Sequence, residues 1–110
     1  MIIGYARVST NDQNPEPQVD ALEKAGAEQV FQEKFTGTSR ERPELSQCLR
    51  MLRSGDVLVV WKLDRLARSL KDLVEIVQDL QDRGIGFKSL TESIDTTSSG
   101  GRLVFHIFGA

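Results

Sequence analysis

Two short stretches far apart in the chain, Tyr5-Ala6-Arg7-Val8-Ser9-Thr10 and Lys62-Leu63-Asp64-Arg65-Leu66-Ala67-Arg68, each leave an apolar run and at once present hydroxyl, carboxylate or guanidinium groups. Side chains of a strand alternate between faces, so Arg7 and Ser9, two residues apart, share one. A serine hydroxyl is a weak nucleophile until something activates it. The only histidine, His106, sits in an apolar stretch near the far end of the chain with no evident route to Ser9, so a histidine-driven hydrolase triad does not fit. Neither a Gly-x-Ser-x-Gly elbow nor a Gly-x-x-x-x-Gly-Lys-Ser/Thr phosphate loop is present. What remains is a serine with several arginines, a set suited to phosphoryl transfer. The guanidinium fork makes paired hydrogen bonds to phosphate oxygens and stabilises the charge that spreads over them in the transition state. Losing one such preorganised donor costs roughly 10²- to 10³-fold in rate, so several arginines can together stand in for a metal ion.

Those groups need a frame that brings them together. Met1 to Val8 is nearly continuous apolar sequence and reads as a strand buried on both faces. Asn11 to Pro15 is turn chemistry, and Ala21, Leu22 and Ala25 give a helical stripe from Pro17 that Gly26 closes. Val30-Phe31 is a second, short strand, followed by a loop from Lys34 to Glu41 without periodicity. Pro43 fits a first helical position, with Leu45, Cys48, Leu49 and Leu52 at helical spacing until Ser54-Gly55-Asp56. Val57 to Trp61 is the strongest strand, and Leu70, Leu73, Val74, Val77 and Leu80 mark a core-facing helix ending near Arg83-Gly84. Ile85 to Leu90 is a further strand, Thr96 to Gly101 a hinge-like polar run, and Arg102 onward the start of an apolar helix.

Strands alternating with helices predict an α/β fold, a three-layer α/β/α sandwich around a mostly parallel sheet of four to five strands. Ligands in such sheets sit beyond the carboxyl ends of the strands, where strand order reverses. If the first and third strands are neighbours, Arg7 and Ser9 lie beside Asp64, Arg65 and Arg68.

Composition narrows the classes. With 110 residues the chain forms one domain able to bury a core without staples. Fourteen Lys and Arg against sixteen Asp and Glu give a net charge of -2, unlike an autonomous DNA binder, so affinity for a polyanion must come from local clustering. Cys48 is the only cysteine, which excludes an internal disulfide, and one His with one Cys gives zinc no ligand set. No apolar run has the length of a bilayer span, and a cytoplasmic protein without membrane contact is expected.

Tyr5-Ala6-Arg7-Val8-Ser9-Thr10, Arg40-Glu41-Arg42-Pro43, Leu63-Asp64-Arg65-Leu66-Ala67-Arg68 and Ile94-Asp95-Thr96 together resemble the catalytic domain of serine site-specific recombinases, in the resolvase and DNA-invertase branch. The resemblance runs in order over essentially the whole chain. It implies a resolvase-like fold and DNA cleavage by attack of Ser9 on a backbone phosphate. The products are a 5'-phosphoserine link and a free 3' hydroxyl, and strand exchange precedes the reverse reaction. No cofactor or metal is implied. Arg7, Arg42, Arg65 and Arg68 match the family's phosphate-binding arginines, and Asp64 its acidic partner. Tyr5, Gln13 and Gln18 match supporting positions, and Thr36 stands where many relatives have Ser. The implied partners are DNA at a crossover site and further copies of the protein, a dimer assembling to a tetramer in the full-length form. Against that family pattern, the long dimerisation helix is expected to be only begun within residues 1–110 and the helix-turn-helix domain to lie outside them. We therefore expect residues 1–110 to be a catalytic domain, either a separately produced unit or a truncated reading frame.

Plainer readings stand beside these. Ser9 alone fits a helix cap, Asp64 and Arg68 fit an i, i+4 ion pair, and Arg40 fits loop solvation as well as a DNA contact. Arg50, Arg53 and Arg83 read as solvated helix faces, and His106, Phe105 and Phe108 as packing or subunit-contact residues. An alternative function is a non-catalytic fragment that pairs with full-length recombinases through residues 102–110. A phosphate-accepting regulatory domain would want clustered acids at the strand ends, where Asp64 stands nearly alone.

Overall fold

The computed structural model describes residues 1–9, 14, 16–35, 42–67 and 69–97, with Ser9 and Phe35 described by backbone only. Its elements in chain order are β1 (Ile2–Ser9), α1 (Glu16–Lys24), β2 (Gln29–Phe35), α2 (Pro43–Met51), β3 (Val57–Val60), a 3-10 turn (Leu63–Arg65), α3 (Leu70–Asp82), β4 (Gly86–Ser89) and β5 (Ile94–Asp95). The sheet order is β2-β1-β3-β4-β5. β1 pairs in parallel with both β2 and β3, and β3 with β4, whereas β5 turns back antiparallel on β4.

That order follows from hydrophobic runs joined by right-handed crossovers. The β1-α1-β2 crossover moves one way along the sheet, while the α2 and α3 crossovers move the other way. The helices therefore cover opposite faces. Ile3 and Tyr5 of β1 pack with Leu45, Cys48 and Leu52 from α2 and the following turn, and with Leu73, Val77 and Leu80 of α3. Ala6 and Val59 point to the other face, against Leu22 of α1. Gly4 allows that layer to close, because a Cβ there would stand 3.2 Å from Leu22 and 3.3 Å from Val30. The result is the expected three-layer arrangement, with strand order reversing between β1 and β3.

Several expectations need adjusting. β2 extends well past Val30-Phe31, because β1 pairs with it from Gln29 to Phe35 and carries it through polar residues. β5 had no hydrophobic run to announce it. Thr96 is no loose hinge: it is buried, and its hydroxyl and N–H close the β4–β5 hairpin onto Phe87 at 2.9 and 2.8 Å. Arg83 is not a solvated helix face either, since its guanidinium donates to the Leu49 and Leu52 carbonyls at 2.8 and 2.9 Å and caps the end of α2. Leu70 is 54% exposed, so the α3 core stripe begins at Leu73. The turn at 11–13, most of the 34–41 loop, the remaining polar run at 98–101 and the terminal helix with Phe105, His106 and Phe108 lie outside the described residues. No described helix is long and apolar enough to cross a membrane.

Candidate active site

The site lies where β1 and β3 leave the sheet. β3 pairs with β1 only as far as Tyr5, so the last residues of β1 lack a strand partner on that side. At Arg7 the partner is Gln18 of α1. Its amide nitrogen donates to the Arg7 carbonyl at 3.0 Å, and its oxygen accepts from the Arg7 N–H at 3.4 Å. Gln18 is 1% exposed, which explains a polar residue on the inner face of α1. By strand alternation Arg7 occupies the same face of β1 as Ile3 and Tyr5, the face toward α2 and α3.

Across the gap, the 3-10 turn offers carbonyls to two arginines. Arg7 Nη2 donates to the Asp64 carbonyl at 2.6 Å, and Arg42 Nη1 donates to the Leu66 carbonyl. Three segments distant in sequence therefore meet on one short turn. Arg42 also pairs with Asp72 in the first turn of α3 at 3.4 Å. The turn itself is fastened by buried Leu66 and Ala67 and by Glu92, whose carboxylate accepts from the Leu63 N–H at 3.2 Å and from the Ser89 hydroxyl. The Asp64 carboxylate is exposed and lies 3.8 Å from Arg65 Nε. Its backbone, not its side chain, receives Arg7. Arg65 also stands 5.9 Å from the Trp61 ring centroid, with Lys62 Nζ at 4.8 Å.

Beneath the arginines, the fully buried Tyr5 phenol donates to Glu33 at 3.1 Å. Burial raises the Tyr5 phenol well above its ordinary value, and the Glu33 charge and hydrogen bond raise it further against the opposing pull of Arg42 and Arg7. That phenol stays protonated and serves as a hydrogen-bond donor to Glu33. The same Glu33 carboxylate accepts the Glu44 and Leu45 N–H groups at 3.2 Å each.

Of the residues read from sequence, Tyr5, Arg7, Gln18, Arg42, Asp64 and Arg65 are brought to this one region, and Ser9 ends the strand that carries Arg7. Gln13, Thr36, Arg40 and Arg68 lie outside the described residues. Glu33 and Glu92 were missed. For Glu33 a signal existed: it stands two residues from Phe31 and hence at an inward strand position, where an acid needs partners. Glu92 carried none, being one exposed acid in a turn.

The mostly parallel sheet, with arginines converging beyond the ends of β1 and β3 at its topological switch point, defines an α/β domain with basic side chains where such sheets take their ligands. Comparison with known proteins narrows this: residues 2–110 match the family described as "Resolvase, N terminal domain", and the chain belongs to that family. It is 57% identical over 110 residues to the serine recombinase gin of Escherichia phage Mu and 58% to the DNA-invertase of Escherichia phage P1. Against the transposon Tn917 resolvase of Enterococcus faecalis the identity is 44%. All of this chain is covered in each case, but it spans only 57%, 59% and 60% of those relatives. The solved N-terminal catalytic domain of TP901-1 integrase superposes with a TM-score of 0.82 at 32% identity, covering 97% of this chain and 89% of that one.

Proposed function

We propose that this chain is the catalytic domain of a site-specific DNA recombinase that cleaves and rejoins strands through a phosphoserine at Ser9. The observation that carries the reading is the convergence of Arg7 and Arg42 on the Asp64 to Leu66 segment, beside the strand end where Ser9 stands. A scissile phosphate placed there would meet guanidinium donors able to stabilise the charge on its equatorial oxygens and the charge that grows on the leaving oxygen during in-line displacement. The Ser9 hydroxyl gives up its proton as its oxygen bonds to phosphorus, the bond to the 3' oxygen breaks and that oxygen takes up a proton, and the phosphoserine ester retains the bond energy for reversal on the exchanged strand. Arg65 and Arg68 complete the anion site in this reading, with Asp64 beside Arg65. Gln13, Gln18 and Thr36 serve as supports. DNA is the substrate, and further copies of the protein supply the partner site. Relatives named serine recombinase, DNA-invertase and resolvase support the class.

The test is a denaturing gel of the natural full-length protein with a nicked duplex carrying its crossover site, where one fragment diffuses away after cleavage. Protein bound to the 5' end, lost with Ser9→Ala, is the expected result. DNA binding and dimer formation with no adduct would overturn the reading in favour of a non-catalytic interaction module.

A further inference from the structure

The 3-10 turn that receives Arg7 and Arg42 is fastened from its other end. Its Asp64 and Leu66 carbonyls face the two guanidinium groups, while the Leu63 N–H opens the turn, where a helical segment has no acceptor of its own. Lys62, at the N-cap, makes no capping hydrogen bond. The acceptor comes instead from Glu92 in the turn between β4 and β5, 29 residues away, whose Oε2 takes the Leu63 N–H at 3.2 Å. Its Oε1 accepts from the hydroxyl of Ser89, the last residue of β4 and 1% exposed. An otherwise exposed side chain is thus tied down at both oxygens. Its backbone is fixed as well, because the Leu90 and Thr91 N–H groups donate to the Val60 and Trp61 carbonyls at 3.0 and 2.9 Å and carry the turn along the end of β3. Ser93, next in the chain, has a φ of 57° and is the one non-glycine with positive φ among the described residues. Such a conformation persists where the surroundings over-determine it.

We infer that Glu92 is a positioning residue for the cleavage reaction: it anchors the 3-10 turn to the β4–β5 hairpin and so sets where the Arg7 and Arg42 guanidinium groups meet the scissile phosphate. This rests on the phosphoserine reading above. The two arginines come from β1 and from the start of α2, and this turn is the acceptor they share. Within it the Leu66 and Ala67 N–H groups both bond to the Leu63 carbonyl, at 3.0 and 3.2 Å, so a shift at Leu63 moves the turn as a unit. One carboxylate therefore bears on two phosphate-binding groups through the backbone between them. A displacement of about 1 Å in such a constellation costs on the order of 100-fold in rate.

The test is single-turnover adduct formation by the full-length protein with its nicked duplex at saturating DNA. Glu92→Ala is expected to slow cleavage on the order of 10- to 100-fold. Glu92→Gln keeps an oxygen for the Leu63 N–H and a partner for the Ser89 hydroxyl, so it should stay within about threefold of the unsubstituted rate. In an Arg7→Ala background Glu92→Ala should add less than its effect alone, because the two act as a unit. Slowing that multiplies in full, or that the Gln variant shares with the Ala variant, would overturn the inference. Side-chain NMR of the guanidinium groups gives a readout without DNA. The Arg7 and Arg42 N–H signals should both move toward those of a solvated arginine in Glu92→Ala and stay in place in Glu92→Gln, with Arg83 unchanged. Unmoved signals in a folded Glu92→Ala variant would likewise overturn it. If that variant does not fold, Ser89→Ala leaves the carboxylate held at one oxygen and should move both signals the same way by less, and no movement there counts against the inference equally. If the unsubstituted protein forms no adduct, the phosphoserine reading falls separately, and the NMR result still decides whether Glu92 sets the two arginines.

Discussion

Arg7 works at both ends of its side chain's attachment. Its backbone is clamped by Gln18, and its guanidinium reaches the Asp64 carbonyl, so the charge is presented from a fixed base. Lysine at this position would keep the charge but offer a point ammonium in place of a planar fork. Arg7→Lys is accordingly expected to lower adduct formation on the order of 100-fold, the scale of losing one preorganised donor. Urea unfolding should move by less than about 1 kcal/mol, because lysine keeps the positive charge and most of the aliphatic stem of this half-buried side chain. A large loss of stability with unchanged cleavage would place Arg7 in the fold and not in the chemistry.

Element boundaries depend on contacts that adjacent sequence does not record. The end of α2 is held by Arg83, which lies beyond α3 and donates to the Leu49 and Leu52 carbonyls. Removing that partly exposed guanidinium in Arg83→Ala should cost roughly 1–2 kcal/mol, measured by urea unfolding, since both carbonyls lose a charged donor. Its neighbour Gly84 is fixed for another reason: φ is +75° and a Cβ would lie 2.6 Å from the Ser54 hydroxyl. The parallel β1, β3 and β4 and helices α1 to α3 were legible because hydrophobic period and turn residues agree along each. β5 was not, because two residues carry no period, and the full length of β2 was not, because it is imposed by pairing with β1. At the site the arginines could be read by type and spacing, as could Gln18 from its match to a family pattern. Glu33, Glu92 and Arg83 act across 11 to 34 residues of sequence, through hydrogen bonds that only folding creates.

The whole molecule responds to pH through groups that folding shifts in opposite directions. Asp56 is lowered by the Arg53 N–H first and then by the Met1 ammonium it pairs with at 3.0 Å. At Asp95 burial pushes the other way, but the Thr97 hydroxyl and N–H together with Lys88 outweigh it and leave the carboxyl lowered. A carboxyl lowered by folding adds stability above its unfolded value near 3.9, and that contribution is lost as pH falls through the lower folded value. Asp56→Asn should therefore flatten the acid side of the stability curve. On the alkaline side, burial pushes the Cys48 thiol up to about 12 and also raises the Tyr5 phenol. Groups raised by folding contribute in full below their unfolded values and lose that contribution as pH rises through the folded ones. Between the unfolded thiol value near 8.5 and its folded one, Cys48 alone should cost about 1.4 kcal/mol of stability per pH unit. Because the thiol is fully buried and protonated in the native state, its reaction with a thiol reagent at pH 8 requires opening of the α2 layer. The labelling rate should then fall in proportion to the unfolded population as urea is withdrawn, and Cys48→Ala should lose the slope between pH 9 and 10 while keeping the acid limb. Rapid labelling without urea would show that α2 opens independently of the sheet, and an unchanged alkaline slope in Cys48→Ala would show that the thiol does not carry it.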